Sequence, residues 1–306
     1  MAREIHPDMR ILQEAQKVAY GGSGIEGIRA SWTAYTRSLA QPHPSHLIVR
    51  DAELPVPGHP VPVRIYQHPK PSGAGIIYMH GGGFMKGDLD SSDPIAWGFC
   101  DQTGATVISV DYRLTPEHPF PAAFDDCCGV LGWAATNAAE LKIDPARIAL
   151  VGDSAGGQLA AGLCLAARDR GGPPIKAQVP IYTVIGSDME GGSYDENATG
   201  YGLTTEYCRS SVKLLLTEPA HWANPYARPF LAESFAGMPP AFVLSAELDP
   251  VRDDGRTYAA RLALAGVDVT YREARGMLHG FMRARFTGSA ARAEYDGICA
   301  FLRERV

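Results

Sequence analysis

Val151-Gly-Asp-Ser-Ala-Gly-Gly157 follows the apolar run Arg147-Ile-Ala-Leu-Val151 and precedes Leu159, Ala160, Leu163, Cys164 and Ala167, which share one stripe at helical spacing. The order is buried strand, serine, helix. A serine at the tip of such a turn sits in a strained conformation, and Gly152 and Gly156 leave room for strand and helix to approach each other. The pattern G-x-S-x-G is met in full, and Ser154 is the candidate nucleophile. The letters G-D-S-x-G also occur in chymotrypsin-class proteases, but that fold is all-β, whereas a helix follows Ser154 here.

Outward from this turn, Ile76–Met79 and Ala105–Val110 are short, nearly unbroken apolar runs, the form of strands covered on both faces. Asp93-Pro94 is expected to open a helix through about Thr103, with proline in the first turn, and a second helix is expected from about Pro121 to Ala139. Gly171-Gly-Pro-Pro174 stops the helix after Ser154, and Ile175–Tyr182 supplies a further strand. From about Gly186 to Pro240 the alternation lapses, apart from a helix expected over Thr204 to about Leu216. It resumes with the strand Ala241–Ala246, a helix over about Arg252–Ala265, the strand Val267–Tyr271 and a closing helix over about Ser289–Arg305. Upstream, His46–Arg50 and Val61–Tyr66 suit an edge hairpin, where proline is tolerated. Residues 7–40 suit two helices broken at Gly21-Gly-Ser-Gly24, with Met9, Leu12, Ala15, Val18 and Ala19 on one face of the first. About eight strands, mostly alternating with helices, predict an α/β chain whose largely parallel sheet carries its active site at the carboxyl ends of the strands.

At 306 residues the chain can bury a sizeable core, and 45% hydrophobic with 20% charged residues is ordinary for a globular protein. A net charge of -6 without a basic stripe argues against a nucleic-acid partner. The N-terminal stretch is charged, lacks the apolar run of a signal peptide, and no segment approaches the ~20 apolar residues of a membrane span, so a cytoplasmic protein with no membrane partner is expected. Cys100, Cys127, Cys128, Cys164, Cys208 and Cys299 are scattered without C-x-x-C spacing, which suggests neither a metal site nor a disulfide framework.

A serine hydroxyl needs a base within hydrogen-bond reach, and the base needs an acid to hold its tautomer. Of nine histidines, His279 in Met277-Leu-His-Gly-Phe281 is best placed, in the loop between the last strand and the last helix. The histidines at 6, 43, 46, 59, 68 and 221 fall in early segments, edge turns or the irregular region and are expected at the surface. Asp249, at the end of the strand Ala241–Ala246 and stopped by Pro250, is the expected acid. Its rivals are Glu247, which can belong to the strand, and Asp253 and Asp254, which suit a solvated first helical turn. His80-Gly-Gly-Gly83 follows another strand, and glycines there let backbone N–H groups turn toward a developing oxyanion, with the N–H of Ala155 completing the hole.

These stretches, H-G-G-G-F at His80, D-Y-R-L-T-P-E-H-P-F-P-A-A at Asp111, G-D-S-A-G-G at Gly152, E-L-D-P-V-R-D-D at Glu247 and H-G-F at His279, make the chain resemble the bacterial hormone-sensitive-lipase-like carboxylesterases of the α/β-hydrolase fold along nearly its whole length. The resemblance implies Ser154, Asp249 and His279 as triad, Gly82, Gly83 and Ala155 as oxyanion donors, and Gly81 as shaping the turn. It implies a catalytic domain over 46–185 and 236–306 and a helical cap over 1–45 and 186–235, to which Ser193-Tyr-Asp-Glu-Asn-Ala-Thr-Gly-Tyr-Gly-Leu-Thr204 is similar. Thr115 stands where that family more often has alanine, and Asp111–Pro121, with Glu117 and His118, reads as a supporting turn rather than a reactive one. The resemblance further implies a homodimer through about Val267–Val306.

The activity expected is hydrolysis of short- to medium-chain esters of small molecules through an acyl-enzyme, with no metal or organic cofactor required. Phe84, Tyr182, Val184, Tyr201, Leu203, Leu278 and Phe281 are the candidate substrate-binding residues. An amidase, formamidase or lactonase would use the same triad, and a non-catalytic ligand-binding protein on this fold would have lost a triad member.

Overall fold

Gly75–Met79 and Thr106–Val110, buried throughout, lie side by side near the centre of a parallel sheet, with Ile77 opposite Ile108. The computed structural model describes residues 4–19 and 22–306; Met1–Arg3 and Gly21 of the expected helix break lie outside them, as do the side chains of Val18 and Ala19. Eight strands among the described residues form one sheet: β1 (Ile48–Pro55), β2 (Pro60–Gln67), β3 (Gly75–Met79), β4 (Thr106–Val110), β5 (Ile148–Asp153), β6 (Ile175–Ile181), β7 (Ala241–Leu248) and β8 (Val269–Leu278). Their spatial order is β1-β2-β4-β3-β5-β6-β7-β8. The β1–β2 and β2–β4 pairs are antiparallel and all others parallel, so the hairpin expected from the early prolines closes one edge.

Helices cover both faces. On one lie α1 (Arg10–Ala19), α2 (Gly24–Ser38), α3 (Leu89–Thr103) and α10 (Ser289–Arg305), around a core that includes Met9, Tyr35, Phe99 and Tyr295. On the other lie α4 (Ala122–Thr136), α5 (Ala155–Arg170) and α9 (Arg252–Leu264), around Phe124, Leu163 and Leu262. Between β6 and β7 stand the short α6 (Ser193–Glu196), α7 (Thr205–Leu215) and the short α8 (Pro219–Trp222).

Helix α3 begins earlier than Asp93-Pro94 led us to expect. Asp88 caps it, its carboxylate accepting the Ser91 N–H at 2.7 Å while the Ser91 hydroxyl accepts the Asp88 N–H at 2.9 Å. Pro94 is therefore inside the helix, where it removes one ladder bond and crowds the preceding turn. Side chains of the C-terminal segment take up nearby carbonyls: Arg283 donates to Ser91 O, Arg285 to Pro94 O, and Tyr295 to Ile95 O. The Asp88/Ser91 reciprocal cap was the sequence signal that outranks the proline.

The register aligns the functional ends. Met79 pairs with Gly152 across β3–β5, and Leu248 with Leu278 across β7–β8, so the loop after β3 meets the turn after β5, and residues 249 and 279 emerge side by side. Strand β8 runs to Leu278, seven residues beyond the expected end, because the pairing with β7 continues through an irregularity between Ala246 and Leu248.

Candidate active site

Ser154 stands between β5 and α5 with φ 55° and ψ -120°, a strained conformation for a residue with a Cβ. The chain tolerates it because the neighbours leave no alternative. A Cβ on Gly152 would lie 2.2 Å from the Gly156 carbonyl oxygen, and one on Gly156 would lie 1.9 Å from that of Met79. The Ser154 N–H donates to Ile181 O at 2.9 Å, and its carbonyl accepts the Thr183 hydroxyl at 2.7 Å, so β6 pins the turn from one side.

The ends of three strands bring together the serine, the histidine and the acid expected from sequence. His279 Nε2 is 2.8 Å from Ser154 Oγ, and His279 Nδ1 is 2.6 Å from Asp249 Oδ2. Asp249 is fully buried; its Oδ1 accepts the Val251 N–H, and Asn197 donates to its carbonyl at 3.0 Å. Gln16 of α1 donates to His279 O at 3.3 Å, and the Tyr182 ring packs 4.9 Å from the imidazole. A serine facing one imidazole nitrogen, with a buried carboxylate on the other, can pass its proton to the ring as the hydroxyl attacks a carbonyl.

The rivals for the acid have other work. Glu247 lies in β7 and accepts the Gly276 N–H at 2.8 Å. Asp253 pairs with Arg252 and Arg256 and accepts the Ser193 N–H. Asp254, expected in a solvated turn, is instead buried and accepts the Ile185 N–H at 2.8 Å and the Ser187 hydroxyl at 2.7 Å, fastening the segment that leaves β6. Burial pushes its carboxyl up to about 6.

After β3, Gly82 (φ 144°) and Gly83 (φ 63°) turn the chain over Ser154. A Cβ on Gly82 would sit 1.9 Å from the Lys86 carbonyl oxygen, so this position excludes any side chain. The N–H of Ala155 opens α5 and has no partner within that helix. Asp153, adjacent to the serine, ties loop and turn together: it accepts the Gly81 N–H at 2.8 Å and the Tyr78 hydroxyl at 2.6 Å. Burial, then the field of Asp153, pushes the Tyr78 hydroxyl well above its ordinary range, so it stays a donor. The Asp111–Pro121 turn supports the loop from behind. Tyr112 donates to His80 O at 2.6 Å and its ring stacks on that of His80, and Thr115 donates to Phe84 O through both its N–H and its hydroxyl. Glu117 is exposed and paired with Arg29, and His118 is exposed.

Ser154 and His279 open onto a cleft of about 710 Å³ including its mouth, within the range of small-molecule sites. Of the residues expected to line it, Phe84, Val184 and Leu203 do. Tyr182, Leu278 and Phe281 do not. They are buried in the core behind His279, where Tyr182 packs on the imidazole and on Phe281. Tyr201, half-buried, packs against the core on the α3 and α10 face instead. Sequence reasoning missed the wall opposite the serine: Trp32 and Tyr35 of α2, Tyr207, Cys208 and Val212 of α7, and two cations, Lys86 and Arg283. Burial pushes the Lys86 ammonium down to about 7. For Arg283 burial acts in the same direction, but the fields of Tyr35, Asp153, Tyr78 and Tyr182 together outweigh it and hold the guanidinium above its ordinary range. A lysine three residues beyond the glycine run was the one visible signal. Behind Phe84 and Gln158, which line both spaces, lies an apolar chamber of about 260 Å³ bounded by Phe120, Phe124, Leu159, Leu215 and Tyr226.

A family model described as alpha/beta hydrolase fold matches residues 76–283. Carboxylesterase NlhH of Mycobacterium tuberculosis is 40% identical over 249 residues, covering 79% of this chain and 78% of that protein. An ethyl acetate hydrolase of Pseudomonas putida is 38% identical over 233 residues, covering 74% and 73%. Among solved structures, a hyperthermophilic esterase from the archaeon Pyrobaculum calidifontis superposes with a TM-score of 0.90 at 31% identity, covering 98% of both chains. The chain belongs to the α/β-hydrolase fold family, in its hormone-sensitive-lipase-like branch, and its enzyme class is carboxylic ester hydrolase.

Proposed function

We propose that this ester hydrolase acts on short- to medium-chain acyl esters through Ser154, His279 and Asp249, by way of an acyl-enzyme. The observation that carries the reading is the continuous chain Ser154 Oγ, His279, Asp249 at 2.8 and 2.6 Å, opening onto a cleft roofed by Gly82 and Gly83. His279 takes the hydroxyl proton as Ser154 Oγ attacks the ester carbonyl. Asp249 stabilises the imidazolium, and the N–H groups of Gly82, Gly83 and Ala155 receive the oxyanion. The imidazolium then protonates the leaving alcohol. Water, deprotonated by the same imidazole, attacks the acyl-enzyme and releases the acid.

The apolar chamber behind Phe84 and Gln158 supports acyl chains longer than acetyl, and its small volume of about 260 Å³ supports an upper limit on length. The helices of residues 4–45 and 186–235 that line the outer wall act as the cap over this site. Hydrolysis of p-nitrophenyl esters from acetate to laurate, with Ser154→Ala in parallel, tests the reading. Expected is a rate that falls beyond butyrate or hexanoate and is lost in the variant. Folded protein that turns over no ester, but cleaves an anilide or a lactone, would reject it.

A further inference from the structure

We propose that the cleft and the chamber behind it select esters whose acyl chain carries a hydroxyl, which donates to the side-chain oxygen of Gln158. The inference rests on the cleft being the ester-binding site and on the chamber taking the acyl chain, as argued above. Gln158 is 2% exposed and lines both spaces, so an acyl chain that runs from Ser154 into the chamber passes its amide. It lies one turn beyond Ser154, on the same face of α5, and its N–H donates to Ser154 O at 3.4 Å. Its spacing from the reacting carbonyl is therefore set by the helix.

The two ends of this amide are held differently. Nε2 donates to Ala227 O at 2.5 Å, whereas Oε1 has no hydrogen-bond partner among the described residues. Turning the amide over gives no relief, because it would set two acceptor oxygens against each other at Ala227. A buried acceptor left unpaired is costly, and a tether to Ala227 needs only the donor end. The unpaired oxygen therefore answers to a donor that arrives with the ligand. The chamber wall decides which kind. It is made of apolar side chains such as Phe120, Phe124, Leu159 and Leu215, and Tyr226, its other polar side chain, turns its hydroxyl to Asp169 at 3.4 Å. A charged donor would lose its hydration there with no counter-charge among the lining residues. A hydroxyl on an otherwise apolar chain is small and neutral, and beside Oε1 each group finds the partner that the other lacks.

The test compares ethyl hexanoate with its 2-, 3- and 6-hydroxy derivatives, the chiral ones as single enantiomers. Each kcat/KM is divided by that ester's rate constant with hydroxide, so that intrinsic reactivity drops out. The hydroxy esters are isomers, and the placement of the donor is what separates them. In wild type one isomer should stand about tenfold above the others and at or above hexanoate itself, the worth of one well-placed hydrogen bond. In Gln158→Met, which removes the acceptor, that advantage should disappear. The readout is the ratio between isomers within one protein, so any change the variant makes to the rate on every ester divides out. Should Gln158→Met fail to fold, the wild type decides by the isomer comparison alone. Isomers that do not differ, or that all fall below hexanoate, in wild type overturn the hydroxyl inference, as does an advantage that survives in Gln158→Met. Wild type that cleaves ethyl butyrate but none of the hexanoates overturns it as well, without touching the ester-site reading. Absence of turnover of every ester overturns both together.

Discussion

The cleft has two walls built on different principles. On one, Ser154, Gly82 and Gly156 are held by backbone: strand ends in fixed register, two glycines with no room for a Cβ, and a serine in a strained conformation. On the other, Trp32 and Tyr35 come from α2 and Tyr207 from α7, elements distant in sequence whose Trp32 and Tyr207 rings both lie 4.6 Å from Lys86 Nζ. The first wall tolerates almost no change, because altering it moves backbone. The second can be repacked one side chain at a time. Rate should therefore reside mainly in the sheet ends, and substrate preference in the helices.

The sharpest way to break that division is Asp249→Asn, which keeps shape but favours the wrong imidazole tautomer. On the pattern of other triads kcat should fall on the order of 10⁴-fold with KM little altered, measured on p-nitrophenyl butyrate. A loss confined to KM would place Asp249 on the binding side instead.

Gly82→Ala comes next. Its Cβ would overlap the Lys86 carbonyl, so the turn must shift and the proposed oxyanion donors with it. A donor moved out of reach typically costs roughly 10²–10³ in kcat, and the sheet should melt within a few degrees of wild type because the turn lies outside it. Calorimetry beside steady-state kinetics separates the two, and an equal loss in stability would merge the walls into one structural unit.

The smallest effect sharpens the contrast from the other side. Lys86 has an ordinary value of 10.5 in the unfolded chain and about 7 when folded. Between these the unfolded state binds more protons, so this group makes stability rise with pH; its penalty is full below about 7 and gone above about 10.5. Lys86→Met should therefore melt a few degrees above wild type near pH 6, with the difference shrinking as pH approaches 10. A difference independent of pH would mean that Lys86 is not desolvated in solution.

Much of the first wall is legible in the amino-acid order because its requirements are local. A strand, a small-serine-small turn and a helix announce the elbow; a glycine run after an apolar strand announces a loop with free N–H groups; an aspartate and a histidine at later strand ends complete the sequence-order pattern. Asp254 and Pro94 were misplaced for the complementary reason. Whether a first-turn aspartate is solvated depends on what packs over it, here Ile185 and Ser187, and where a proline falls in a helix depends on a cap six residues earlier. Tyr182, Leu278 and Phe281 are expected at the cleft as apolar groups near the serine, but lying near the strand ends does not fix direction, and their side chains are buried in the core behind His279.

The sequence by itself thus determined the α/β alternation, the strained serine turn and the residues that meet at the sheet's carboxyl edge, because hydrophobic period and glycine placement constrain backbone wherever they occur. Only the tertiary structure decided what faces the serine. Lys86, Trp32 and Tyr207 lie far apart in the chain, and no periodicity encodes that an ammonium will be buried between two rings from separate helices until those helices pack.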